Sequence, residues 1–216
     1  MTKTKSKIKT ILFDFDGTMA DTFTELVKIY NEIAPAYKCK KVDEGDIEKL
    51  RNKRPQDFMA DYNVTKLNLP FLVLKGRKLL RERMHEILPF ENLVEVIREL
   101  RSMGYQLGIL TSNSQKNIHL FLKHQRINDL FSFVYNGKNI FGKSKKLKNI
   151  FAEQDLTNEQ VLMIGDETRD IEAAHKVKVK IIAVSWGFNS KKVLKKQKPY
   201  KLVDNPLELL SVIREM

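Results

Sequence analysis

The chain has 216 residues, 42% of them hydrophobic, which allows one domain carrying a smaller insert and excludes global disorder. Cys39 is the only cysteine, so an internal disulfide framework is excluded, and no apolar run approaches the ~18 residues that span a bilayer. The net charge of +12 comes mostly from lysine, without regular aromatic interleaving and with much less arginine. This argues against a sequence-specific nucleic-acid reader and for a solvated basic surface that attracts anions.

In chain order, the basic start MTKTKSKIKT leads into KTILFDFD (9–16), the first predicted strand. Asp14 and Asp16 interrupt this apolar run too early for a secretory h-region, so a soluble cytosolic protein is expected. From Asp21 to Pro89 no convincing strand occurs. Helical patterns such as FTELVKIYNEIAPAY and FLVLKGRKLLRERMHEIL fill the stretch. A connection that long should carry structure of its own, which predicts a helical insert over 22–88 and a core made of 1–21 and 89–216.

The core resumes with NLVEVIRELRSMG (92–104), where Leu93, Val96, Ile97 and Leu100 share one helical face and Gly104 suits the stop. Further strands are predicted at QLGILTS (106–112), FSFVYN (131–136), VLMIGD (161–166), KIIAVSW (180–186) and KLVD (201–204). Near-continuously apolar strands alternating with amphipathic helices imply an α/β fold, a doubly wound parallel sheet with a Rossmann-like core.

In open parallel sheets, ligands bind beyond the carboxyl ends of the strands. Those ends carry Asp14 and Asp16, then Thr111 and Ser112, then Asp166 with Asp170 close behind; Lys143 lies in the loop after the third strand. Burying unpaired carboxylates is costly, so these acids need a cation. Oxygen ligands without a His or Cys cluster point to a hard divalent ion, with Mg²⁺ the usual choice beside phosphate. Asp166 and Asp170 also suit a helix N-terminus, and Thr111 and Ser112 the cap of the next helix.

DFDGTMAD (14–21), LTSN (110–113), the loop lysine at 143 and GDETRD (165–170) resemble, in order, the four motifs of the haloacid dehalogenase-like hydrolase superfamily. The helical insert after the first motif resembles the cap of its phosphoglycolate phosphatase-like branch. The resemblance covers about residues 8 to 210.

It implies that Asp14 is the nucleophile and forms an aspartyl-phosphate, and that Asp16 is the general acid and base. By the same resemblance Thr111, with Ser112 and Asn113 beside it, contacts phosphoryl oxygens, and Lys143 neutralises charge. Asp14, Asp166, the Asp16 carbonyl and, less directly, Asp170 would hold Mg²⁺. The family often has Lys-Pro where this chain has GKSKK, which leaves Lys145 and Lys146 as alternatives to Lys143.

Asp21 could belong to the flap leading into the cap or N-cap its first helix. Arg51 or Arg54 could face an anionic substrate. Gly17, Gly165 and Gly187 fit tight turns, and Trp186, Phe188 and Asn189 could line the cleft.

The resulting expectation is a capped, Mg²⁺-dependent phosphatase for a small phosphorylated metabolite. A phosphomutase, a nucleotidase and a non-enzymatic binding protein of the same fold stand as alternatives. No membrane partner is expected, and nothing in the sequence sets an oligomeric state.

Overall fold

The computed structural model describes residues 8–136 and 142–216. Lys3, Lys5 and Lys7 of the basic start, and Phe141 of the lysine loop, lie outside these residues.

The described strands are β1 (Thr10–Phe13), β2 (Gln106–Thr111), β3 (Phe131–Asn136), β4 (Val161–Gly165), β5 (Lys180–Val184) and β6 (Lys201–Val203). They form one parallel sheet in the order β3-β2-β1-β4-β5-β6. Ten α-helices are described. α1 (Phe23–Ile33), α2 (Ile47–Leu50), α3 (Pro55–Asp61) and α4 (Leu69–Glu82) lie between β1 and β2, followed by α5 (Leu93–Ser102). The rest are α6 (Gln115–His124), α7 (Lys143–Glu153), α8 (Thr168–Lys176), α9 (Lys191–Lys196) and α10 (Pro206–Arg214).

The period-two alternation of strand side chains divides the core into two layers. Ile11, Phe13, Leu107, Ile109, Leu162 and Ile164 pack on one face with α5, α6 and α10. Leu12, Leu110, Val161, Met163, Ile181 and Ala183 pack on the other with α7, α8 and α9. Both faces are therefore covered, as a doubly wound sheet requires. Leu93, Val96, Ile97 and Leu100 are buried as the spacing predicts.

The predicted strands run past their observed ends. The stretch 9–16 is ladder only to Phe13, and 180–186 only to Val184. Asp14 still donates its backbone N–H to Ile164 O at 2.9 Å, but Asp16 and Gly17 already turn, with Gly17 N–H bonded to Ala20 O. The overshoot has a physical cause: polar residues at strand ends leave the ladder to face the crevice.

The segment between β1 and β2 departs and returns side by side. Asp21 N–H donates to Leu88 O at 3.0 Å, and Ala20 bridges Pro89. Within it, α1 lies along α4, tied by Arg83 to Glu25 at 2.8 Å and to Glu32 at 2.6 Å. Thr22, not Asp21, takes the cap position of α1. No helix among the described residues is long and apolar enough to cross a membrane.

Candidate active site

β1 and β4 are neighbours at the centre of the sheet, and the connections leave them in opposite directions along it. This switch point opens a crevice at their carboxyl ends. β1 delivers Asp14 to it, β4 delivers Asp166, and the first turn of α8 adds Asp170. Carboxylate oxygens of these three buried acids lie within 4.8 Å of one another.

Lys143 reaches them from α7. Its ammonium donates to Asp14 Oδ2 and to Asp170 Oδ1, both at 2.5 Å, and the side chain is 5% exposed. A helix N-terminus disfavours a cation, so its position in the first turn of α7 answers to the carboxylates and not to the helix. Burial opposes its charge, but Asp14 and Asp170 outweigh burial and hold the ammonium protonated. Lys145 is exposed and Lys146 donates to Asn136 O, so of the three lysines it is Lys143 that meets the acids.

Burial pushes the Asp14 carboxyl up to about 7, opposed chiefly by Lys143. Burial also raises Asp166 well above the usual carboxylate range, and Glu167, Asp14 and Asp170 add to the effect. Asp166 is fixed by the Thr18 hydroxyl at 2.6 Å and by Phe188 N–H at 2.7 Å. Asp14 Oδ1 accepts Phe15 N–H at 2.7 Å. Two glycines permit this closeness. Gly17, at φ +75°, and Gly187 each lie where an added Cβ would strike Asp166 Oδ2.

Asp16 occupies a different setting. Its carboxylate turns from the other three to the Thr22 hydroxyl at 3.1 Å and to Asn113 Nδ2, which donates to both oxygens at 2.9 and 3.0 Å. Burial raises it to about 6, against the lowering effect of those hydrogen bonds.

Thr111 is buried at the end of β2, its hydroxyl accepting Asn113 N–H at 3.0 Å. The Asn113 side-chain Oδ1 accepts from Ser114 N–H and from Asn117 Nδ2. Ser112 offers its backbone carbonyl to Arg77 of α4.

A cavity of about 380 Å³ opens beside Asp16, walled by α1, α3 and α4 and by Ser112, Asn113, Arg169, Phe188 and Asn189. Trp186 instead packs against Phe90 and donates to Thr18 O at 3.2 Å. Arg51 stacks 4.3 Å over the Phe23 ring and donates to Gly187 O; Arg54 lines the cavity while paired with Asp57. Sequence reasoning missed Arg77, which no motif marks, and the partnership of Asn113 with Asp16. Thr18 and Thr22 were missed as partners, although the small polar residues around DGT were a usable signal.

The donor set suits a hard cation: three buried carboxylates, oxygen only, with negative charge in excess of the single lysine between them. The arrangement can hold a divalent ion, offer an ionised carboxylate to an electrophile and supply a proton from Asp16.

The haloacid dehalogenase-like hydrolase model matches residues 11–184. A phosphoglycolate phosphatase from Synechococcus elongatus is 32% identical over 209 residues, covering 97% of this chain and 99% of that one. The pyrophosphatase PpaX of Bacillus cereus is 24% identical over 214 residues, with 97% and 98% covered. The crystal structure of a predicted phosphatase from Clostridium acetobutylicum superposes with a TM-score of 0.83 at 21% identity, over 97% of this chain and 99% of that one, and so shares the fold. The chain belongs to the haloacid dehalogenase-like hydrolase family. By class it is a phosphoric monoester hydrolase.

Proposed function

We propose that this enzyme is a Mg²⁺-dependent phosphatase that hydrolyses a small phosphate monoester through an aspartyl-phosphate on Asp14, in the cytoplasm. The observation that carries the reading is the ammonium of Lys143, bonded at 2.5 Å to Asp14 and to Asp170 in a site that also holds buried Asp166. Phosphoglycolate is the nominal substrate, after the relative from Synechococcus elongatus.

The Asp14 and Asp166 carboxylates and the Asp16 carbonyl would hold Mg²⁺, with Asp170 in support. When bound, the ion neutralises charge on the phosphoryl oxygens. Asp14 attacks phosphorus, the ester P–O bond breaks, and Asp16 gives its proton to the departing oxygen. Water then attacks the aspartyl-phosphate, Asp16 takes its proton, and the P–O bond to Asp14 breaks to release phosphate. Asp14 must be ionised and Asp16 protonated in the first step; burial raises both carboxyls, Asp14 to about 7 and Asp16 to about 6, so a bound cation would have to join Lys143 in favouring the charged form of Asp14.

Lys143 also offsets charge on the transferring group, and the Thr111 hydroxyl, which accepts Asn113 N–H, has its own proton to donate to a phosphoryl oxygen. Asn113 orients Asp16. Residues 22–88 act as the cap that covers the cleft and excludes bulk water.

The test is phosphate release from phosphoglycolate, sugar phosphates, nucleoside monophosphates and an aryl phosphate, with Mg²⁺ and with chelator. Mg²⁺-dependent release that Asp14→Asn lowers by about 10³-fold or more is expected. A folded, Mg²⁺-loaded protein that releases phosphate from none of them would overturn the proposal. Isomerised sugar phosphate in place of free phosphate would make it a mutase.

A further inference from the structure

We infer that the substrate's leaving group carries an apolar body, seated in the cavity between α1, α3 and α4, so that the enzyme favours monoesters of hydrophobic alcohols over phosphoglycolate. The inference rests on the phosphatase reading and names the substrate class for it.

Asp16 is the only one of the four acids in the cavity wall. A leaving group that takes its proton from Asp16 therefore points into this space. Most of the remaining wall is apolar, with Leu26 and Tyr30 of α1, Phe58 and Met59 of α3, and Leu72 and Val73 of α4, beside the polar Ser112, Asn113, Glu167 and Asn189. Protein interiors are close-packed, and an apolar void of about 150 Å³ is enough to stay dry and take up a benzene-sized guest. At about 380 Å³ this one exceeds a packing defect and falls within the roughly 300–1,000 Å³ of small-molecule sites.

Three of the four cations in the wall already face a carboxylate. Lys53 is paired with Asp61, Arg54 with Asp57 and Arg169 with Glu167, while Arg77 donates to Ser112 O. A glycolate carboxylate entering here would leave water for a mostly apolar surface and compete for a cation that has a partner. An alkyl or aryl group would lose nothing on entry and bury apolar area.

Ethyl, butyl and hexyl phosphate test this, because their leaving alcohols have closely similar basicity and differ in apolar length. With Mg²⁺, kcat/KM should rise up to about fourfold per buried methylene. Hexyl phosphate should then exceed both ethyl phosphate and phosphoglycolate at least tenfold.

Gly76 of α4 lines the cavity, and a Cβ there would meet only Ile29 Cγ2 at 3.8 Å. Gly76→Leu therefore fills the space, and should cut the hexyl-to-ethyl ratio about tenfold. Calorimetric binding of hexylphosphonate against ethylphosphonate to the wild type, with Mg²⁺, reads the same preference without turnover.

A flat chain-length series, or phosphoglycolate outrunning hexyl phosphate, overturns this inference and leaves the phosphatase reading standing. Tighter binding of hexylphosphonate with no release from any ester supports the apolar seat and sinks the hydrolase reading. Neither release nor a chain-length preference in binding removes both.

Discussion

On the floor of the cleft, at the carboxyl ends of β1 and β4, three buried carboxylates share one lysine. In the roof, α1, α3 and α4 turn aromatic and aliphatic side chains toward a void. The floor is held by short, charge-assisted hydrogen bonds to fixed partners, so removing one group leaves others buried and uncompensated. The roof is held by apolar contacts that a guest can extend. Chemistry that must be the same for every phosphate ester belongs on the first, and recognition of what the phosphate is attached to belongs on the second.

The strongest test of this contrast removes the floor's cation. Lys143→Met keeps the aliphatic stem but leaves Asp14 and Asp170 without their shared ammonium. Breaking a buried ion pair from one side costs about 3–5 kcal/mol, or about 10 °C in Tm for a chain of this size. Thermal unfolding in chelator should show that loss, and saturating Mg²⁺ should recover part of it. An unchanged Tm would mean that the floor is no more rigidly held than the roof.

The same asymmetry governs what the sequence discloses. Asp14, Asp16 and Asp166 are anomalies in apolar strands, and an anomaly that packing cannot explain is readable as function. Lys143 joins them because its loop follows a strand whose end faces the same crevice. The parallel sheet is legible for a related reason, since runs such as VLMIG are apolar at every position.

The roof gives no such sign. Tyr30, Phe58 and Leu72 sit at helical spacings where any core residue would sit, and only the packed structure reveals that they surround a cavity. Arg77 is one basic residue among several in KGRK, and its contact with Ser112 O depends on how α4 packs against α6 and the turn before it. Of the two arginines that could face a substrate, Arg51 has its guanidinium occupied by Gly187 O and the Phe23 ring, and Arg54 lines the cavity paired with Asp57.

Mg²⁺ and pH sharpen the floor side of the comparison. The Asp14 carboxyl is raised from 3.8 to about 7, so the folded protein binds more protons than the unfolded chain between those values. Its contribution therefore lowers stability as pH rises through that window. Glu25, Asp57 and Asp204 are shifted the other way, so the measurement must be a difference. In chelator, the Tm of wild type minus that of Asp14→Asn should fall by a few degrees from pH 5 to pH 8. With saturating Mg²⁺, which competes with protons for the carboxylates, the trend should reverse. A difference independent of pH in both conditions would show that Asp14 is ionised without help.

Asp16 sits where floor and roof meet, and it titrates on its own terms. Asn113 donates to both of its oxygens and so favours the charged form. Asn113→Ala removes those donors, which raises the Asp16 pKa from about 6. A general acid with a higher pKa stays protonated to higher pH. The descending limb of kcat/KM should therefore move upward by about one pH unit. A limb that stays in place, or moves down, would remove Asp16 from the proton transfer.

The smallest effect comes from the roof, and its sign is what matters. Gly76 lies inside α4, where glycine costs about 1 kcal/mol relative to alanine. The added methyl would meet Ile29 Cγ2 at 3.8 Å, an ordinary contact, and otherwise project into the cavity. Gly76→Ala should therefore raise Tm by about 2–4 °C, whereas a methyl forced into a close-packed core usually costs 1–3 kcal/mol or so. A fall in Tm would mean that α1 and α4 already touch at this point and that the roof, like the floor, has no room to give. A rise would mean that the helix tolerates volume where the floor tolerates none, as expected of a wall whose tight packing awaits a guest.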